Sequence, residues 1–131
     1  MIFVDSNIPM YLVGAEHRNK DRAEQLLRRL IEAREKLVTD VEVFQEILHR
    51  YVAIRRHDAI EAAWRALHGL VDDVFPIALP QVDDAKSLVL ESQALSARDA
   101  LHVAVMRAHG VEEILTFDTG FDTVADLSRI H

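Results

Sequence analysis

The sequence has 131 residues, of which 50% are hydrophobic, and it has a formal net charge of −7 and no cysteine. This length is typical of one domain with its own core, so we expect residues 1–131 to form a single domain. Without cysteine there are no disulfides and no thiolate zinc sites, which fits a cytoplasmic location. The opening residues do not resemble a signal peptide, and no apolar run is long enough to cross a membrane, so we expect no membrane partner.

The negative charge is concentrated in the second half of the chain. Residues 1–65 contain eleven basic and eleven acidic side chains, whereas residues 66–131 contain four basic and eleven acidic ones. The basic residues between positions 18 and 56 could contact a phosphate backbone. Because acidic residues are interleaved among them, they fit ordinary solvated helix faces equally well.

Short apolar runs alternate with helical patterns along the chain. Strands are predicted at residues 2–4, 37–38, 74–78 and 114–117, and the segment 124–130 is either a last strand or a frayed tail. A short helix is predicted to begin at residue 8, and five further helices are predicted at residues 18–36, 41–54, 58–71, 80–93 and 97–109. Their periodicity predicts that Ile31, Leu48 and Val82 are buried. This alternation predicts a three-layer α/β/α fold whose small central sheet is mainly parallel and has four or five strands.

The segment from residue 96 to residue 122 contains the main local signals for a functional site. Ser96 is a good helix N-cap, and Asp99, three residues later, completes a capping-box pattern. Gly110 suits the end of that helix, and a short apolar strand follows. Asp118 comes directly after this strand, just as Asp5 comes directly after the first strand. Ligands of open α/β sheets bind beyond the carboxyl ends of the strands, which is where both acids are expected.

We hypothesise that acids from distant parts of the chain converge around a divalent cation. Two carboxylates about 4 Å apart repel each other by roughly 4 kcal/mol at an effective dielectric constant near 20, so a group of them needs protonation or a cation. Mg²⁺ and Mn²⁺ prefer oxygen ligands and suit metal-assisted hydrolysis of a phosphodiester. The candidate ligands are Asp5, Glu46, Asp99, Asp118 and Asp122.

Each candidate also has a simpler interpretation. The aspartates could form turns or caps or be loop acids exposed to solvent, and Asn7 could be only the N-cap of the first helix. Glu46 shares its helix face with Glu42, and periodicity does not distinguish the two. His102 and His49 have no partner at a metal-binding spacing, so we interpret both as structural.

Three blocks of the sequence together resemble a known family. They are MIFVDSNIPMYL, TDVEVFQEILHRY and LSARDALHVAVMRAHGVEEILTFDTGFD. In this order and at these distances they are similar to PIN-domain ribonucleases, most specifically to the VapC-type toxins of prokaryotic toxin–antitoxin pairs. The resemblance covers essentially the whole chain. It implies a PIN-like α/β/α fold, Mg²⁺- or Mn²⁺-dependent endoribonuclease activity on RNA, homodimerisation and neutralisation by a cognate antitoxin.

The resemblance also assigns roles to residues. Asp5, Glu46, Asp99 and Asp118 match the four acids of the family site, which favours Glu46 over Glu42, and Asp122 follows as an accessory acid. Asn7 matches a small polar residue that follows the first acid, and Thr116 matches a hydroxyl before the fourth. Both are expected to position substrate or water.

Two other classes of protein compete with the ribonuclease interpretation. The first is a PIN-like module that binds RNA or protein without cleaving anything. The second is another phosphotransferase with an acidic site, such as a haloacid-dehalogenase-like phosphatase or a response-regulator receiver. The phosphatase signature has a second acid where this chain has Asn7, and no paired early acids or late lysine indicate a receiver.

Overall fold

Five short strands form one parallel sheet in the order β3-β2-β1-β4-β5. The structure, a computed structural model, describes residues 1–131. The strands are β1 (Ile2–Val4), β2 (Leu37–Asp40), β3 (Asp73–Phe75), β4 (Glu113–Leu115) and β5 (Ser128–Ile130). The sheet is therefore entirely parallel, and the fold class expected from the sequence is confirmed.

The amino-terminal strand β1 lies at the centre of the sheet. Phe3 pairs with Val38 of β2 on one side and with Ile114 of β4 on the other, and all three side chains have no exposed surface. Strands buried on both faces have continuous apolar sequences, which is why IFV and the strands beside it show no alternation. Just beyond β1, the backbone N–H of Asp5 donates to the carbonyl oxygen of Leu115 at 3.1 Å, which joins the carboxyl ends of β1 and β4.

Six α-helices cover the sheet in two groups. They are α1 (Asn7–Val13), α2 (Arg18–Glu32), α3 (Val41–Ala53), α4 (Ile60–Leu70), α5 (Leu79–Glu91) and α6 (Ala97–Ala108). α1 packs on α2 and α4, α3 packs on α4, and α5 packs on α6. The chain moves from β1 through β2 to β3 in one direction and returns to β4 in the other. Since crossovers are right-handed, the two groups lie on opposite faces of the sheet. None of these helices has both the length and the apolar character needed to cross a membrane.

Some predicted boundaries were wrong. The third strand was predicted at residues 74–78 but consists of Asp73–Phe75, at an edge of the sheet, and Pro76, which has no N–H to donate, follows it. The tail contains the strand β5, which pairs with β4 after a 3₁₀ helix at Thr119–Thr123. The second helix was predicted to reach residue 36 but ends at Glu32.

The early end of α2 has a specific cause. Arg34 has a left-handed backbone with φ 56°, and the N–H of Glu35 donates back to the carbonyl oxygen of Leu30 at 3.0 Å. This is a Schellman motif, which usually has glycine at the left-handed position. Arg55 adopts the same conformation after α3. Because neither position is a glycine, the usual sequence signal for this kind of helix end is absent at both.

Three apolar side chains that were predicted to be buried are exposed. Ile31, Leu48 and Val82 are 56%, 39% and 46% exposed. The periodicity correctly identified the apolar stripes of α2, α3 and α5, but it extended each stripe by one position at its margin. A helix buries only an arc against its neighbours, so apolar residues at the margin of that arc remain accessible.

Two glycines provide a matched test of backbone strain. Gly110 has φ +68° in the Schellman motif that ends α6, whereas Gly69 is helical and a Cβ there would meet nothing within 4 Å. We expect Gly110→Ala to lower the free energy of unfolding by about 1 kcal/mol and Gly69→Ala to raise it by about 0.5 kcal/mol. Denaturant titration of both variants measures this, and a shift in the same direction for both would contradict the assigned conformations.

Candidate metal centre and active site

The site lies where the order of the strands reverses. β1 is followed in the sheet by β2 on one side and by β4 on the other, and the crevice beyond β1 and β4 is the switch point of this topology. Asp5 follows β1, and Thr116 and Asp118 follow β4. The amino-terminal turn of α6 brings Asp99 to the same crevice.

Asp5 is buried and held by hydrogen bonds on both carboxylate oxygens. Oδ1 accepts from the backbone N–H of Ser6 at 2.7 Å, and Oδ2 accepts from the Thr116 hydroxyl at 2.7 Å and from Asn7 Nδ2 at 3.2 Å. Thr116 Oγ1 in turn accepts from Asn7 Nδ2 at 2.9 Å and from the N–H of Asp118 at 3.0 Å. The first acid, the polar residue after it and the hydroxyl before the fourth acid therefore form one network. Burial raises the pKa of Asp5, although His102 and Thr116 oppose that shift.

Asp99 lies beside two other acids. Its half-buried side chain is close enough to Asp118 and Asp5 for burial first, and then these two charges, to raise its pKa to about 7. Asp118 Oδ1 accepts from the N–H of Gly120 at 2.8 Å. A Cβ built on Gly120 would come within 3.1 Å of Asp118 Oδ1 and 3.7 Å of Asp99 Oδ2, so both carboxylates border this glycine. The predicted capping box forms only in part: the N–H of Asp99 donates to Ser96 Oγ at 3.1 Å, and no bond returns from the carboxylate.

Glu46 reaches the same crevice from α3. Its Oε2 accepts from the Ser6 hydroxyl at 2.7 Å, and its Oε1 lies 2.6 Å from His102 Nε2. His102 Nδ1 lies 2.7 Å from Oδ2 of the fully buried Asp40. Burial disfavours charge on His102, but its bonds to Asp40 and Glu46 raise its pKa well above the ordinary value. Burial likewise acts to raise the pKa of Glu46, yet the bond to His102 and its charge lower it.

The comparisons with known proteins agree with this geometry. Residues 2–127 match the family described as PIN domain. Over 130 residues, 99% of each chain, the sequence is 52% identical to Ribonuclease VapC13 of Mycobacterium tuberculosis. The chain belongs to the PIN-domain family and, within it, to the VapC ribonucleases.

Solved structures of this family share the fold. A crystal structure of VapC20 from Mycobacterium tuberculosis, described as a sarcin–ricin loop cleaving toxin, has a TM-score of 0.78 at 24% identity and covers 95% of each chain. VapBC2 from Rickettsia felis, bound to a DNA fragment from its promoter, has a TM-score of 0.75 at 13% identity, with 99% of this chain and 98% of that chain covered. At such identities the likeness supports the three-layer PIN fold alone.

Two acids of this PIN domain lie outside the group. Asp122 is exposed, and Arg129 donates to both of its carboxylate oxygens at 2.8 and 3.0 Å, which lowers its pKa. Glu42 lies one turn before Glu46 and is 3.9 Å from Arg98. The structure therefore brings Asp5, Glu46, Asp99 and Asp118 together, whereas Asp122 forms an ion pair with Arg129.

The oxygen-rich group in this PIN domain suits a divalent metal. Ligand atoms of Asp5, Glu46 and His102 lie within 4.8 Å of one another. Both ring nitrogens of His102 already bond carboxylates, so neither has a lone pair for a metal while those bonds last. The available donors are carboxylate oxygens, which hard cations such as Mg²⁺ and Mn²⁺ prefer.

Sequence reasoning missed the role of His102. Its position one turn after Asp99 on α6 places both on one helix face, and this spacing was the only local signal. Its partners Asp40 and Glu46 are 62 and 56 positions away in the sequence, so no local pattern connects them to it. Ser6 was not among the predicted site residues, and its hydroxyl also contacts the site because it donates to Glu46.

Proposed function

We propose that this protein is a metal-dependent endoribonuclease that hydrolyses RNA phosphodiesters as the toxin of a type II toxin–antitoxin pair. The observation that carries the proposal is the convergence of Asp5, Glu46, Asp99 and Asp118 at the switch point of a PIN fold. Its 52% identity to a protein named Ribonuclease VapC13 supports RNA as the substrate. The single domain spans residues 1–131 and acts in the cytoplasm.

Mg²⁺ or Mn²⁺ fits the donor set. We propose Asp5, Asp99 and Asp118 as its ligands, with Glu46 contributing through Oε2, and we do not include Asp122. When bound, such an ion polarises the phosphodiester and lowers the pKa of a coordinated water. The protein's own residues supply positioning, since Asn7 and Thr116 both donate to Oδ2 of Asp5. The pKa of Asp99 is raised because burial and neighbouring carboxylates disfavour its negative charge, and a bound cation would offset that effect.

A cleft next to the acids has the chemistry to hold RNA. It has a volume of about 590 Å³ and extends from Asn7 and Glu46 to Arg50, Arg98 and Tyr11. Arginine side chains neutralise phosphates, and exposed aromatic rings stack on the bases of single strands. The two arginines balance the two glutamates that also line the cleft, Glu16 and Glu46, so the cleft does not share the net negative charge of the protein.

Metal binding is expected to displace a proton from Asp99. At about pH 6 this carboxyl is mostly protonated, because burial and then the Asp118 charge raise its pKa to about 7, and ligands must be ionised. Mn²⁺ binding should therefore release close to one proton at about pH 6 and much less at about pH 8.5, and the apparent affinity should fall as the pH drops below 7. Calorimetry in buffers of different ionisation enthalpy measures the release. Equal release by Asp99→Asn would exclude Asp99 as its source.

Cleavage of RNA by the purified protein tests the function itself. The expected result is cleavage of structured RNAs with Mg²⁺ or Mn²⁺, none with EDTA, and none by Asp5→Asn in either metal. Cleavage that persists in EDTA would contradict the metal role. RNA binding without cleavage across substrates and metals would instead favour a non-catalytic binding module.

We further propose that the protein pairs with itself and is neutralised by an antitoxin. Toxin–antitoxin complexes among the structural neighbours support an antitoxin partner. On α5, Leu79 and Leu90 are 69% and 78% exposed, which favours burial against another copy. Induced expression should arrest growth, and co-expression of the antitoxin should restore it. Light scattering of the purified toxin measures its oligomeric state, and a monomer at all concentrations would contradict self-association.

A further inference from the structure

Glu46 is held by an unbroken chain of side chains that begins at the end of β2. The backbone N–H of Val43 donates to Asp40 Oδ1 at 2.9 Å, and Asp40 Oδ2 bonds His102 Nδ1 at 2.7 Å. The other ring nitrogen of His102 bonds Glu46 Oε1 at 2.6 Å, and Ser6 Oγ donates to Glu46 Oε2. Asp40 and His102 have no exposed surface, so solvent does not compete for these bonds.

This arrangement exceeds what core packing requires. His102 lies on a helix whose neighbouring buried residues, Val103, Val105 and Met106, are apolar, and an apolar side chain would fill its place without needing partners. Both nitrogens are engaged, and one of them is engaged with a proposed ligand of the metal. The ring therefore acts on the site through Glu46 and not as a ligand.

We propose that His102, supported by Asp40, is a positioning residue that orients Glu46, so that this acid presents only Oε2 to the metal. The inference rests on the proposed function, because it assigns Glu46 a role at that metal. Partners of this kind behind a ligand change metal affinity by roughly 10- to 100-fold when they are lost.

Two substitutions of His102 separate positioning from packing. The amide nitrogen of Asn superposes on Nδ1 of histidine and that of Gln on Nε2, so His102→Asn keeps the bond toward Asp40 and His102→Gln keeps the bond toward Glu46. Each loses one buried hydrogen bond, and the two should be similarly destabilised. We expect His102→Asn to weaken Mn²⁺ binding at least tenfold and His102→Gln to stay within about threefold of wild type.

Mn²⁺ titration by calorimetry or by paramagnetic resonance of the free ion measures these affinities without RNA. In a Glu46→Gln background, adding His102→Asn should cause no further loss. Equal weakening by the Asn and Gln variants, wild-type affinity of His102→Asn, or a further loss in the Glu46→Gln background would overturn the inference.

A third variant decides if neither His102 variant folds. Asp40→Asn keeps a good helix N-cap and a neutral partner for His102. The inference is supported if Asp40→Asn weakens Mn²⁺ binding about threefold or more and causes no further weakening in the Glu46→Gln background. Wild-type affinity overturns it. If the wild-type protein neither binds Mn²⁺ nor cleaves RNA, both the proposed function and this inference are overturned. If the wild-type protein is active and His102→Asn binds Mn²⁺ with wild-type affinity, only the inference is overturned.

Discussion

Replacing Asp99 by asparagine should abolish RNA cleavage and, at the same time, make the metal-free protein more stable. Loss of a metal-binding carboxylate removes several kcal/mol of transition-state stabilisation, which corresponds to a rate roughly 10³-fold lower. In the absence of metal, the charge of Asp99 is buried against Asp118 and Asp5, and asparagine removes that repulsion. Activity and stability should therefore change in opposite directions.

The gain in stability has a defined pH window. The folded-state pKa of Asp99 is about 7 and the ordinary value is 3.8, so ionisation destabilises the folded state increasingly as the pH rises between these values. The gain should be about 1 kcal/mol at about pH 8, after allowance for the exposed part of the side chain, and should disappear near pH 4. Urea titration of wild type and Asp99→Asn at several pH values, without metal, measures it.

Asp122→Asn is the matched control for this substitution. It removes a carboxylate only a few residues from Asp118, but one that is exposed and paired with Arg129. We expect cleavage within about threefold of wild type, since exposed ion pairs contribute roughly 0–1 kcal/mol. Loss of cleavage in Asp122→Asn would indicate that Asp122 is also a ligand of the metal. Cleavage of RNA by Asp99→Asn would show that Asp99 is not a required ligand.

Replacing Thr116 by valine should impair both folding and cleavage. The hydroxyl is fully buried, donates to Asp5 and accepts from Asn7 and from the N–H of Asp118. Valine has nearly the same shape, so the change leaves these buried polar groups without their partner. We expect the free energy of unfolding to fall by about 3 kcal/mol and the cleavage rate to fall at least tenfold, because two of the acids lose their anchor.

Thr116→Ser retains the hydroxyl and lacks only a methyl group. It should remain within about 1 kcal/mol of wild type in stability and within about threefold in cleavage rate. Chemical denaturation and initial rates of RNA cleavage at saturating Mn²⁺ compare the three proteins. If the valine and serine variants lost equal activity, the hydrogen bonds of Thr116 would not be the cause.

Local signals in the sequence were enough for part of the site. Asp5 and Asp118 were identified because each follows an apolar strand, and Asp99 because it begins a capped helix. The parallel sheet brings such positions together whatever the details of packing. Glu46 was different: periodicity left it equivalent to Glu42, and only the family resemblance favoured it. In the structure Glu46 bonds Ser6 and His102, whereas Glu42 lies toward Arg98.

The remaining features depend on contacts that a local pattern does not contain. His102 has the spacing of a core residue, and its role arises from two carboxylates on other elements. Asp122 has the spacing of an accessory acid, yet β5 places Arg129 beside it, and β5 was the strand that the sequence left undecided. The exposed Ile31 and the left-handed Arg34 likewise reflect where neighbouring segments end, which propensity does not encode.

The central position of β1 has a consequence for the synthesis of this protein. Strand β1 pairs with β4, and Asp5 receives a hydrogen bond from Thr116, 111 positions later. A nascent chain that ends before this point has neither half of the crevice complete. The acids can therefore converge only after β4 and Thr116 have been made, so a partly synthesised chain is not expected to cleave RNA.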